Sequence, residues 1–259
     1  MQFVVIAAPR TGSTHLTDFL RRQPRVHCHG EVFARSRVLY SVKGGRTSEL
    51  DRDLLALRES DSEAFLDRIY AMDNGQKNVG FKIFQGHNDV ALARLVEDPT
   101  VRKVLLNRRN MLAAYSSSLA SKKTGVWGTK QRSDAVEKPK VRFRPDGFVK
   151  FHDRRVQFHL AWVTRIAQSG QQFHWIEYED LNEPVKLASL LAFVGGNAAG
   201  YKSTEPVARR PATDVCARFE NAGEVEAFLH RHGLMHWAFE AETALQLLGT
   251  PPAAEGKAA

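Results

Sequence analysis

Within the stretch "APRTGSTHL", residues 8–16, Arg10, Thr11, Gly12, Ser13 and Thr14 place a fixed cation, three hydroxyls and a glycine in immediate succession. Glycine lets a bound group approach the backbone closely. If a helix opens at Ser13, its first N–H groups are unpaired and lie at the positive end of the helix dipole, which makes the corner an anion site. A phosphate or a phosphosulfate suits it. The nucleotide-hydrolase loop GxxxxGK[ST] sets a lysine and a Mg²⁺-binding hydroxyl after its last glycine; here Ser13 and Thr14 follow Gly12 directly. No later strand ends in an evident apolar run closed by a metal-binding Asp. These two departures disfavour a Mg²⁺-dependent kinase or GTPase, while an ordinary turn with an N-cap is the competing structural reading.

Other side chains stand out for their surroundings. Lys82 interrupts the apolar run "GFKIF", and a lysine is rarely buried without a partner, so it is expected to face an anion or a carboxylate. His27 and His29 flank Cys28, but alternate positions on one extended segment chelate a metal poorly without distant ligands, so no metal is expected there. An acceptor-site or alternative base role suits the two histidines better. His230, His232 and His236 fall in a helical C-terminal segment where exposure or packing accounts for them.

These residues need elements to hold them. Short β-branched runs at 3–7, 79–84, 102–107 and 173–178 alternate with helical patterns at 13–22, 62–73, 88–97 and 110–122. That alternation predicts an α/β fold with a parallel sheet flanked by helices, in a single domain over 1–250. Ser60 and Glu63 have capping-box spacing before the second helix. A long helix is predicted over about 147–169, stopped by Gly170 and carrying Phe148, Phe151, Val156, Leu160, Val163 and Ile166. A further helix is predicted over about 184–194, closed by Gly195 and Gly196. The basic stretch 128–150 has no helical or strand period, and reads either as a solvated loop or as a lid or acceptor wall over an anionic ligand. The tail 251–259 is expected to be disordered.

The loop "PRTGSTHL" after an N-terminal strand resembles the 5′-phosphosulfate loop of sulfotransferases that use 3′-phosphoadenosine 5′-phosphosulfate (PAPS), a superfamily with a P-loop-like α/β fold. "VLLNRRNMLAAYSSSL" is similar to that family's 3′-phosphate motif, a strand ending in Arg-Asn with a serine eight residues after the arginine, and "IEYEDL" resembles its YEDL run. With "HGEVF", "GFKIF" and "KKTGVW", the layout looks closest to bacterial carbohydrate sulfotransferases of the nodulation-factor and trehalose-sulfating kind, over most of residues 3–181. The resemblance implies that Arg10, Thr11, Gly12, Ser13 and Thr14 hold the 5′-phosphosulfate. Arg10 stands where many relatives have lysine, which leaves it an electrostatic role at the bridging oxygen. It implies further that Arg109 and Ser117 hold the 3′-phosphate, with Arg108 and Ser116, spaced identically, as the alternative register. Trp127 then either stacks on the adenine or packs as an ordinary half-buried tryptophan. Glu31 matches the position of a catalytic glutamate in sugar-acting relatives and is the expected general base. The implied product is 3′-phosphoadenosine 5′-phosphate (PAP), and no metal is expected.

Bulk properties bound the remaining choices. The chain has 259 residues, 43% hydrophobic and 25% charged, with a formal net charge of +8, which favours an anionic ligand, a nucleic acid or an acidic surface. No nucleic-acid-binding motif is present, so a nucleic-acid partner is not expected. Two cysteines, Cys28 and Cys216, without a CxxC pair exclude a disulfide framework. No apolar run reaches the roughly 18 residues of a membrane span, and a cytoplasmic, bacterial-style enzyme is the expectation. A carbohydrate or glycolipid acceptor follows from the resemblance, and a lipid-linked one would bring the enzyme peripherally to a membrane. A divergent P-loop kinase and a basic nucleic-acid-binding protein are the competing functions.

Overall fold

The computed structural model describes residues 1–42, 45–46, 51–127, 139–200 and 214–240. The segment 128–138 and the tail 251–259, on which expectations were placed, lie outside the described residues. Contacts group the chain into two compact units: the described parts of Met1–Arg109 and Asp153–Ala208, and those of Asn110–His152 and Arg209–Ala259.

The first unit is built on five parallel strands: β1 (Gln2–Ala7), β2 (Val26–Glu31), β5 (Asn78–Phe84), β6 (Val101–Asn107) and β7 (Phe173–Glu177), in the order β2-β5-β1-β6-β7. A two-stranded antiparallel pair, β3 (Ser41–Val42) and β4 (Gly45–Arg46), forms a separate small sheet. The central strand β1 is apolar on both faces, as a strand covered by helices on either side must be. Val4 and Ile6 pack with Phe81, Ile83 and residues of α3 (Ser62–Ala71), α4 (Asp89–Glu97) and α6 (Pro145–Gln168). Phe3, Val5 and Ala7 pack on the opposite face with Leu16, Phe19 and Leu20 of α1 (Ser13–Arg21) and with α7 (Pro184–Phe193). The predicted α/β fold with a parallel, helix-flanked sheet is the one the chain adopts.

The chain leaves β1 toward β2 on one side of the sheet and leaves β6 toward β7 on the other. The carboxyl ends of β1 and β6 therefore border a topological switch point, the crevice where open α/β sheets bind ligands.

Several local expectations change. The cap of α3 is Asp61, whose carboxylate accepts from the N–H groups of Glu63 and Ala64, rather than Ser60. Ser60 instead ends α2 (Arg52–Ser60), a helix the sequence pattern did not disclose. The extended segment around His27 and His29 is a full strand of the sheet, β2, which "VHCHGE" signals weakly because it has one β-branched residue and only two apolar side chains, Val26 and Cys28. On α6, Val156 and Leu160 are exposed, while Arg155, Phe158, His159 and Ile166 are buried. The buried face carries polar groups because it meets backbone carbonyls: Arg155 donates to the carbonyl of Pro9, and His159 Nε2 lies 3.3 Å from that of Leu106.

The second unit contains α5 (Met111–Thr124), the first two turns of α6 and α8 (Ala222–Arg231) around Phe143, Phe148, Phe219 and Tyr115. Asn110 caps α5 through its side-chain oxygen on the N–H of Ala113, and its amide nitrogen donates to the carbonyls of Trp237 and Phe239. Among the described residues, no helix is long and apolar enough to cross a membrane.

Candidate active site

The loop between β1 and α1 is shaped by two residues in left-handed conformation, Arg10 at φ 72° and Gly12 at φ 79°. A non-glycine residue rarely sits there, and such strain gathers at ligand sites. Thr11 is fully buried and its hydroxyl donates to the carbonyl of Ala8 at 2.8 Å, which closes the turn from inside. Thr11 therefore shapes the loop, while Thr14 at the helix opening is exposed. Gly12 is required twice, by its φ and by space: a Cβ there would lie 2.5 Å from Cδ2 of Tyr178.

Cations converge on this loop. Arg108, at the end of β6, donates to the carbonyl of Arg10 at 3.3 Å and lies 4.3 Å over the Tyr178 ring. Arg155 reaches the same loop from α6 through the Pro9 carbonyl. Burial first, and Arg108 second, hold the Arg10 guanidinium below its usual pKa. Burial, then Arg108 and Arg10, lower that of Arg155 to about 9. Arg108 thus opposes charge on both Arg10 and Arg155, and an arriving anion relieves that opposition.

Arg109 points elsewhere. Its side chain is 58% exposed and pairs with Glu177 through Nε, with Asp180 at 3.2 Å and with Glu179 at 3.8 Å. These carboxylates belong to the end of β7 and the 3₁₀ turn Tyr178–Asp180. The run "IEYEDL" thus does two things: its acids hold Arg109, and Tyr178 and Leu181 pack at Gly12.

Across the sheet, Glu31 at the end of β2 meets Lys82 of β5, Nζ to Oε1 3.1 Å. Lys82 is 4% exposed and also donates to Thr14 Oγ1 at 3.0 Å and Ser13 Oγ at 3.4 Å. The expectation that Lys82 faces a carboxylate is met at Glu31. His87 Nε2 lies 3.9 Å from Glu31 Oε2, and its Nδ1 accepts the Phe84 N–H, so the neutral ring carries its proton on Nε2, toward the carboxylate. Burial lowers the His87 pKa against the opposing pull of Glu31. Arg58 of α2, itself buried, donates to the carbonyls of Val32 and Ala34 and so braces the turn that follows Glu31.

His27 and His29 are placed away from this group. Both are buried; His29 accepts the Ser41 N–H at Nδ1 and faces the Ile69 carbonyl at Nε2, while His27 Nε2 lies within reach of the Ser41 carbonyl and Asn74. Burial lowers the His29 pKa to about 3, so the ring is neutral and structural in its bonding. Cys28 and Cys216 are free and buried. In the second unit, Ser116 donates to the Ala113 carbonyl at 3.0 Å, Ser117 is 8% exposed, and Trp127 is 53% exposed. Arg142, Arg144 and Lys150 there line, with Asp146 and Glu224, an open cleft of about 540 Å³.

Arg155, Tyr178 and His87 carry no role in the sequence reading. Arg155 had a legible signal: it shares the buried stripe of α6 with Phe151, Phe158 and Ile166, and a charge on an apolar stripe needs a partner. Tyr178 lies within the run "IEYEDL", but its stacking partner Arg108 follows another strand, and the Glu31 that faces His87 ends another strand as well.

The chain is 30% identical over 206 residues to nodulation protein H of Rhizobium meliloti strain 1021, covering 76% of this chain and 78% of that relative. It is 28% identical over 239 residues to nodulation protein H of Rhizobium tropici, covering 89% and 88%. A crystal structure of a sulfotransferase from Alicyclobacillus acidocaldarius aligns over 89% of this chain and 96% of its own, with a TM-score of 0.46 at 16% identity. No protein-family profile matches the chain.

Proposed function

The chain belongs to the sulfotransferase family of nodulation protein H, and on that premise we propose that it transfers the sulfuryl group of PAPS to a hydroxyl of a carbohydrate or glycolipid acceptor. The observation that carries this reading is the convergence of Arg10, Arg108 and Arg155 on a left-handed glycine loop that opens a helix. Such a loop fits the phosphosulfate end of the donor: fixed guanidinium groups, outward N–H groups and the hydroxyls of Ser13 and Thr14 match a compact polyanion.

The donor supplies an activated sulfuryl group, whose sulfur bonds to the acceptor oxygen as its bond to the 5′-phosphate oxygen breaks and that oxygen keeps the electron pair. Glu31 accepts the acceptor's hydroxyl proton as general base. Arg10 neutralises charge developing at the departing oxygen. Arg109 and Ser117 are assigned to the 3′-phosphate on the strength of the motif, and Trp127 to the adenine. The exposure of the Arg109 side chain leaves it reachable by a ligand phosphate. Arg108 donates to the Arg10 carbonyl in the 5′ loop, which supports assigning the two adjacent arginines to different ends of the nucleotide. His27 and His29, the other acceptor-side candidates, are buried with their ring nitrogens at Ser41, Ile69 and Asn74. The stretch 128–150, with Arg142, Arg144 and Lys150 in its described part, is the proposed acceptor wall.

Calorimetric titration with PAP, against ATP plus Mg²⁺, tests the reading. Metal-independent PAP binding supports it and directs acceptor screening with labelled PAPS. Mg²⁺-dependent ATP binding without PAP binding would replace it with the kinase reading.

A further inference from the structure

Strands β2 and β5 pair with Cys28 opposite Gly80, yet Lys82 then faces Glu31 rather than Gly30. One extra residue is therefore accommodated in β2, a bulge of the kind that re-aims a side chain next to a site. Its effect is to set the Glu31 carboxylate on the Lys82 ammonium at 3.1 Å. The same ammonium reaches back to Thr14 and Ser13, at 3.0 and 3.4 Å, the two hydroxyls that open α1 at the anion loop. An ammonium can only donate, so each hydroxyl it contacts receives its hydrogen bond on oxygen and keeps its own O–H to give to a ligand. Lys82, itself buried, thus joins the donor loop to the base in one short chain of contacts.

We infer that Lys82 is the donor-side cation of this site, supplied from β5 in place of the lysine that the glycine loop lacks, and that Glu31 holds it there until the donor arrives. The inference rests on the PAPS reading above. The sulfuryl oxygens of a donor seated at Ser13 and Thr14 compete with Glu31 for the same ammonium, which the 5′-phosphate alone does not reach. As Lys82 turns to the sulfuryl oxygens, Oε1 of Glu31 loses its bound proton donor and becomes available to the acceptor hydroxyl. The neutral His87, its Nε2 3.9 Å from Oε2, brings no cation to replace the one that Glu31 loses. Base and donor cation are thereby coupled: the carboxylate is released for work when the donor is in place.

The coupling separates PAPS, which carries the sulfuryl group, from PAP, which does not. Calorimetric affinities for both are measured in the parent protein, Lys82→Met and Glu31→Gln. Lys82→Met is expected to bind PAP within about twofold of the parent and PAPS about tenfold more weakly, the size of one lost charge-assisted contact. Glu31→Gln is expected to bind PAPS severalfold more tightly relative to PAP, because a neutral amide competes less for the ammonium. A PAPS-to-PAP ratio unchanged in both variants overturns the inference while leaving the sulfotransferase reading intact. If Lys82→Met does not fold, the ratio in Glu31→Gln decides alone. A parent protein that binds neither nucleotide overturns the PAPS reading itself, and this inference with it.

Discussion

Arg108 and Arg109 are adjacent in sequence and chemically identical, yet the fold gives them different neighbours: one lies against Arg10 and the Tyr178 ring, the other among Glu177, Glu179 and Asp180. The motif spacing alone left both registers open, because a one-residue shift changes nothing in residue type. The environments yield a test. Arg109→Ala should weaken PAP binding about ten- to hundredfold, the worth of a charge-assisted hydrogen bond to phosphate. Adenosine 5′-phosphosulfate, which lacks the 3′-phosphate, should bind the variant as well as it binds the parent. Equal losses for both ligands in calorimetry would mean that Arg109 acts by holding the Tyr178 turn instead.

At the scale of elements, the β1–α1 turn and strand β2 each carry a measurable consequence. Gly12→Ala forces an L-residue to φ 79° and drives a Cβ into Tyr178 and Leu181. It should cost about 2–4 kcal/mol in denaturant unfolding, from left-handed strain plus overpacking; a loss below about 0.5 kcal/mol, the range of an ordinary surface site, would show that the turn relaxes freely. Strand β2 holds His29 neutral, with its pKa lowered to about 3 by burial first and by His27 second. Because the folded value lies below the ordinary one, the unfolded chain binds more protons as acidity rises, and stability falls as pH drops through about 6.5. The loss from His29 should reach about 2 kcal/mol by about pH 5, at about 1.4 kcal/mol per pH unit. His27, shifted in the same direction by burial, adds to it. A His29→Gln protein, though less stable at neutral pH, should show a flatter curve over this window, whereas parallel curves would place the proton uptake elsewhere.

For the whole molecule, ligand binding to the native state alone should appear as heat resistance. PAP at about a hundred times its Kd adds about 2.7 kcal/mol, which corresponds to a rise in Tm of roughly 5–10 °C for a chain of this size. Calorimetric scans with a chelator present should give the same rise, and ATP with Mg²⁺ a smaller one. The basic balance of +8 favours an anionic ligand, and the local order of residue types carries more: an apolar strand, a glycine turn and a hydroxyl-rich helix start are set by neighbours in sequence, so the strand-turn-helix corner and the parallel α/β plan were legible without coordinates. Strand β2, helix α2, and the exposed Val156 and Leu160 on α6 were not, because burial there follows from what packs alongside and not from the periodicity of the segment itself. The pairing of Glu31 with Lys82 depends on β2 lying beside β5 and on one bulged residue between Cys28 and Glu31. Arg155 meets Pro9 because α6 returns across the carboxyl ends of strands far from it in sequence. Residue types and their spacing determined the glycine loop and the helix that it opens; lateral strand order and register, which arise only when distant segments share one sheet, decided which charges gather beside it.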